Sequence, residues 1–150
     1  MQVRDISNKS VVVAERGMPV DQAARLMRDM HVGSLVIVDG KGAEAQPIGM
    51  ITDRDLVVSV MAKGLAPASV TVGEIFTARL ETVDEEESIL DALRAMRSRG
   101  IRRLPVTRRG SGSLAGIVTV DDILEVVSEQ LSDIVHAIGN EQSREVSNRE

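Results

Sequence analysis

"GMITDRDL" at residues 49–56 returns sixty-seven positions later as "GIVTVDDI" at residues 116–123. In each copy a glycine opens an apolar run, a threonine ends it, and an aspartate follows three places on: Thr52 with Asp55, then Thr119 with Asp122. A threonine at a strand end, an acidic side chain three residues later and an apolar helix beyond them form a capping-box pattern. In such a box the two side chains satisfy N–H groups that the first helical turn leaves without partners. The same place favours anions, because oriented N–H groups converge there. Both acids are Asp rather than the Glu or Gln of the usual box, and the preceding Gly-apolar-apolar-Thr is kept at the same spacing. Two readings stay open: a pair of helix caps, or a pair of ligand sites that also cap.

Outward from these motifs the repetition continues. A shift of sixty-nine aligns Ile6 with Ile75, Val11 with Leu80, Val20 with Ile89, Ala23 with Ala92, Met27 with Met96, Val32 with Ile101 and Leu35 with Leu104. Beyond Val38 the shift falls to sixty-seven, because "DGKGAEAQP" is longer than "RRGSGS". A length change confined to a Gly-rich loop is what two copies of one fold tolerate. The period exceeds that of a solenoid. The chain therefore reads as two half-domains, 1–66 and 67–140, joined near "GLAPAS", with a polar tail over 141–150.

Each half carries the same elements. Val20, Ala23, Ala24, Met27 and Met30, matched by Ile89, Ala92, Leu93 and Met96, recur at three- and four-residue steps, so each set predicts one apolar helix face. "SLVIVD" and "RLPVT" are short β-branched runs that predict buried strands, followed after a turn by "IGMIT" or "LAGIVT" as antiparallel partners. The expected fold class is α+β, two β-α-β-β-α repeats.

The last helices differ. After "TDRD" the stripe Leu56, Val57, Val60, Met61 stops at Gly64, whereas Ile123, Leu124, Val127, Leu131, Ile134, Val135 and Ile138 continue one stripe for about five turns. That surplus either packs along the paired halves or serves self-association. After Gly139 the tail "NEQSREVSNRE" has no stripe and is expected to fray or extend into solvent.

Composition excludes several classes. The 150 residues, 43% of them apolar, suit one folded unit of two small halves. With no cysteine there is no disulfide framework, thiolate metal site or cysteine nucleophile, which fits a reducing, cytoplasmic setting. The N-terminus "MQVRDISNKS" lacks a signal-peptide core, and no apolar run approaches the roughly 18 residues of a membrane span. A net charge of −5 and a single aromatic side chain, Phe76, argue against nucleic acid as a partner. Within that acidic chain "RSRGIRRLPVTRR" holds six arginines: Arg97, Arg99, Arg102, Arg103, Arg108 and Arg109. Such an island is either a solvated face with ion pairs or a site for a small anion. His31 and His136 lie in different elements and no His/Glu spacing suggests a metal site, so catalysis is not expected.

In their order, "AARLMRDM", "MHVGSLVIVD" and "GMITDRDL", then "ALRAMRSRG", "GIRRLPVT" and "GIVTVDDI", resemble a tandem pair of CBS domains, the regulatory modules named after cystathionine β-synthase, over about residues 3–132. The resemblance implies a pseudo-twofold pair whose sheets pack together and leave two clefts for adenosine-containing ligands: adenine nucleotides such as AMP, ADP or ATP, or S-adenosylmethionine. Each cleft would mix both halves. Thr52 and Asp55 would face Ile101, Arg102 and Arg103, while Thr119 and Asp122 would face Val32, Gly33 and Ser34. Asp would accept from ribose hydroxyls and Thr would touch ribose or phosphate. Only the first cleft has guanidiniums for phosphate, with the bidentate geometry available to Arg. The family further implies a homodimer or a protein partner, and no resident cofactor. The competing reading is a ligand-independent interaction module in which both motifs are caps only.

Overall fold

The computed structural model describes residues 1–76 and 79–147. The first half contributes β1 (Val13–Ala14), α2 (Val20–Met30), β2 (Ser34–Asp39) and β3 (Gln46–Thr52), and the second repeats them as β4 (Val83–Asp84), α5 (Ile89–Arg99), β5 (Arg103–Thr107) and β6 (Leu114–Thr119). Two short helices precede these sets, α1 (Val3–Ile6) and α4 (Val72–Ile75). Each half builds a three-stranded sheet, β1-β2-β3 or β4-β5-β6, with the outer pair parallel and the hairpin pair antiparallel.

Alternation along β2 decides how the sheets sit. Leu35 and Ile37 join Ala23, Met27 and Ile51 in the first core, under α2. Val36 and Val38 point the other way and pack with Met50, Leu114 and Ile117 between the sheets. The strand is therefore buried on both faces and reads as a continuous apolar run. In the second half Leu104, Val106 and Val118 pack with Ala92 and Met96. Each fully buried aliphatic side chain of these cores contributes about 1.5–3 kcal/mol.

The two halves exchange their first helices. Val3, fully buried, belongs to the core of the second half, where the Val3 and Arg4 N–H groups donate to Glu87 and Glu85 carbonyls at 2.8 and 2.9 Å. Val72, equally buried, belongs to the first core, and the Val72 and Gly73 N–H groups donate to Met18 and Arg16 carbonyls, each at 2.9 Å. Sixty-nine residues separate every donor and acceptor from its counterpart, so the exchange obeys the repeat. The packing units thus differ from the half-domains cut along the sequence. At the head of α4, Glu74 accepts from the Thr71 backbone N–H and hydroxyl, which in that order hold its carboxyl below the usual Glu range. This exposed cap stabilises the fold above that range and is lost as pH falls through the lowered value.

The crossing explains the motif glycines. A Cβ on Gly49 would stand 2.1 Å from the Phe76 ring, and one on Gly116 would stand 2.8 Å from the Asn8 carbonyl oxygen. The segments arriving from the other half run directly over these two strands.

Four local expectations are corrected. In α2, Val20, Ala23 and Met27 are buried, but Ala24 and Met30 face solvent, as Leu93 does in α5. The helix after Thr52 is α-helical only over α3 (Asp53–Leu56) and continues as a π-turn over Val57–Met61, of which Val60 alone is buried, before Gly64 turns with φ +66°. The tail does not fray at Gly139: α6 (Val120–Ser147) runs through it as one 28-residue helix. Nor does the C-terminal stripe pack along the paired halves, because Leu131, Ile134, Val135 and Ile138 are all exposed.

Candidate ligand cleft between the repeats

Thr52 ends β3 opposite Ser34, and its extended backbone starts α3. Its N–H and its hydroxyl both donate to Asp55 Oδ2, at 2.7 and 3.2 Å, and Asp55 N–H donates back to Thr52 Oγ1 at 3.3 Å. Thr119 and Asp122 repeat the box at 2.7, 2.7 and 3.2 Å. In both boxes the two donated bonds converge on one carboxylate oxygen. Among the described residues nothing donates to Oδ1 of either Asp, so the cap leaves that oxygen free for a second donor.

One cavity of about 580 Å³ gathers Thr52 with Ile101, Arg102 and Arg103, across the two halves. Met50, Leu80, Ile101 and Pro105 form its apolar walls, while Arg54, Arg79, Arg99, Arg102 and Arg103 bring five guanidiniums against the single carboxylate of Glu81. Its size falls in the range of small-molecule sites. Asp55 does not line the cavity and reaches it through the Thr52 hydroxyl that it holds.

The cations are loosely held. Arg102 pairs with Asp121 at 3.3 Å, both side chains about three-quarters exposed, and Arg99 pairs with Glu81 at 3.1 Å. Exposed pairs of this kind contribute about 0–1 kcal/mol, so a phosphate can take over the guanidinium with little loss. Arg103 reaches across the pseudo-twofold to the space above Gly33, within 3.9 Å of where a Cβ there would stand, beside Asp53.

The second set of sequence candidates is arranged differently. Val32, Gly33 and Ser34 lead into β2, and the Gly33 carbonyl accepts from Asp53 N–H at 3.0 Å, as the Arg102 carbonyl does from Val120 N–H at 2.9 Å. The space above Gly33 is approached by the Asp53 carboxylate, 3.3 Å from where a Cβ would stand, and by the Arg103 guanidinium at 3.9 Å. The asymmetry is written in the motif itself. Arg54 stands where the second copy has Asp121.

A larger cleft of about 960 Å³ opens at the other end of the strands, lined by Val13, Met18, Val38, Lys41 and Leu114. Two of its cations are already committed. Lys9 donates to the Arg4 carbonyl and the Ser7 hydroxyl, and Arg108 donates to the Ala43 and Leu114 carbonyls and the Ser113 hydroxyl.

Sequence reasoning missed Arg54 and Arg79 as cleft residues. Arg54 was visible as the basic residue of the first motif where the second has Asp121; Arg79 lay outside the arginine island and gave no signal. His31 caps α2 in the left-handed conformation, φ +53°, where α5 has Gly100 at +65°. His136 is exposed on α6. No group of three or more His, Cys, Asp or Glu among the described residues is placed to hold a metal ion, and no helix among them is long and apolar enough to cross a membrane.

These features define a chain of two CBS repeats. The family model for the CBS domain matches residues 3–62 and 72–129, and the chain belongs to that family. It is 37% identical over 129 residues to an uncharacterized protein of Methanopyrus kandleri, covering 84% of this chain and 62% of that one. Hypoxic response protein 1 of Mycobacterium tuberculosis is 36% identical over 126 residues, covering 84% and 85%. A crystal structure of hypoxic response protein I, with two coordinated zinc ions, superposes with a TM-score of 0.71 at 35% identity, covering 83% of this chain and 98% of that one. The CBS domain pair of protein MJ0100, in complex with 5-methylthioadenosine and S-adenosyl-L-methionine, superposes with a TM-score of 0.72 at 27% identity, covering 85% and 99%.

Proposed function

We propose that the chain is a regulatory module, not an enzyme, that senses an adenine nucleotide in the cleft lined by Thr52 and Ile101–Arg103 and signals by changed self-association or contact with a protein partner. The observation that carries this reading is the meeting of apolar walls and five arginines in one cavity built from both halves. Adenine suits Met50, Leu80, Ile101 and Pro105; the phosphates suit the guanidiniums, whose bonds to charged oxygens are the stronger kind. The likeness to a pair that holds two adenosine derivatives supports the adenosine part. The phosphate part rests on this chain's own arginines, and favours AMP, ADP or ATP over S-adenosylmethionine. Calorimetric titration with these four ligands tests it, and absence of heat with all four would overturn it. Because the chain has no Trp or Tyr, adenine absorbance near 260 nm in fresh protein would also reveal a retained ligand.

The capping boxes favour a second reading, a ligand-independent interaction module. Asp55→Asn separates the two. As a cap alone the change costs about 0.5–1 kcal/mol of stability and leaves affinity untouched. If the free Oδ1 accepts a ribose hydroxyl, affinity falls by about 1.5–3 kcal/mol for adenosine and nucleotide alike. Asp122→Asn makes the same change at the other box and is expected to spare binding in the basic cleft. A lowered melting temperature in both variants with unchanged affinity would return both motifs to capping.

A further inference from the structure

We infer that the larger cleft, of about 960 Å³, is a second binding site and that it takes an aliphatic carboxylate. This goes beyond the nucleotide reading and does not rest on it.

The apolar surface of this cleft is not something the repeat supplies. Val13, Met18 and Val38 line it, and the shift of sixty-nine puts Thr82, Glu87 and Thr107 at the matching positions of the second half. There the Thr107 hydroxyl donates to the Val83 carbonyl at 3.4 Å, and Thr82 and Glu87 are exposed. The fold is thus satisfied by polar side chains at these places, and the first half carries hydrocarbon at all three. Val13 remains 40% exposed. An exposed apolar residue standing alone calls for no explanation. This one borders a floor of Val11, Val38 and Leu114, all part of the packing between the sheets, so a ligand seated there would touch both halves.

The rim selects the other end of the ligand. Lys9, Lys41 and Arg108 stand against Glu15, three cations to one carboxylate in a chain of net charge −5. The bonds that fix two of these cations do not exhaust them. Arg108 makes all its hydrogen bonds through Nη1, to Ala43, Ser113 and Leu114. Its Nε and Nη2, which share one edge of the guanidinium plane, donate to nothing among the described residues. That edge is a fork able to hold a carboxylate bidentately. Lys9 gives two of its three donors to the Arg4 carbonyl and the Ser7 hydroxyl, and Lys41 makes no hydrogen bond or ion pair among the described residues. A guanidinium held by one nitrogen and open along the fork is already oriented, so binding costs it little freedom. The basic cleft, with five guanidiniums, suits a chain of phosphates. Here a single fork beside hydrocarbon, with Glu15 counting against a polyanion, complements one carboxylate on an aliphatic body.

Methionine methyl groups read the two clefts separately, because Met18 lines this one and Met50 the basic one. The full chain, labelled with carbon-13 at its seven methionine methyls, is titrated with octanoate and followed by NMR. A saturable shift of the Met18 signal with Met50 unmoved is the expected result, and hexanoate should bind roughly tenfold more weakly for the methylenes it lacks. Octylammonium should leave Met18 where it is. Val13→Thr, which gives the first half the residue of the second, and Lys41→Glu, in an exposed loop, should each weaken octanoate several-fold while the buried Met27 and Met96 signals report an intact fold. A Met18 signal that stays still at millimolar octanoate would overturn the site, and one that moves equally with octylammonium would overturn its choice of an anion. Octanoate affinity unchanged in both variants would overturn its placement in this cleft. ATP added to the same sample should shift Met50 and leave Met18, so failure of this site and failure of the nucleotide reading are distinguishable.

Discussion

Alanine at both Arg102 and Arg103 is expected to lower affinity for ADP and ATP roughly 10- to 100-fold, a loss of about 1.5–3 kcal/mol, with adenosine nearly unaffected. Arg102, just before β5, and Arg103, its first residue, line the cavity from the half opposite Thr52. They contribute unequally to the folded state, since among the described residues Arg102 has only an exposed pair with Asp121 while Arg103 spans the halves beside Gly33. Single substitutions therefore separate the roles. Arg102→Ala should affect phosphate affinity and little else; Arg103→Ala should also lower stability modestly. Because Arg54, Arg79 and Arg99 remain, the double variant should weaken phosphate binding without abolishing it. Equal losses for ATP and adenosine by calorimetry would mean that the variant has lost its shape or that the phosphates sit elsewhere.

The repeat made most of the fold legible. Period-two and three-four patterning placed the hairpin strands and the α2 and α5 helices, because burial on one face is recorded residue by residue. What the pattern could not encode is where a short apolar segment goes after it leaves its own half. Val3 and Val72 suit either core equally well, and only the closure of the whole pair sends each across. The end of α6 was misread for a related reason. Propensity and an absent stripe argued for fraying after Gly139, although Glu, Gln, Arg and Ser tolerate a helix that a seam farther up has already nucleated. In the cleft, Thr52 and Ile101–Arg103 were set together by the family resemblance, which places the motif of one half against the residues leading into the central strand of the other. Arg79 was not foreseen, since its place on the cavity wall follows from the path of the chain into β4. Both carboxylates proved to be caps with one oxygen to spare, a geometry that no spacing distinguishes from capping alone.

Gly49→Ala is expected to destabilise the protein by about 1–3 kcal/mol, the usual effect of forcing a methyl into filled space. For a chain of this size that corresponds to a fall in melting temperature of roughly 3–10 °C. The new Cβ would lie 2.1 Å from the Phe76 ring, which packs, partly buried, against the first core with Arg16 over its face at 5.7 Å. Gly17→Ala is the control, because nothing lies within 4 Å of a Cβ there. Gly116→Ala meets a different obstacle, the Asn8 carbonyl, which is fixed by accepting from Ile117 N–H at 2.9 Å. Removing a side chain can therefore relieve one site but not the other. Phe76→Ala should itself destabilise by loss of packing, yet in the Gly49→Ala background it should cost distinctly less, a coupling that thermal or urea unfolding of the four-member cycle measures directly. No side-chain deletion at Asn8 should rescue Gly116→Ala. If Gly49→Ala melts with the parent chain, or if the Gly49 and Phe76 effects simply add, the ring does not lie over the strand and the glycine of the repeated motif is there for another reason.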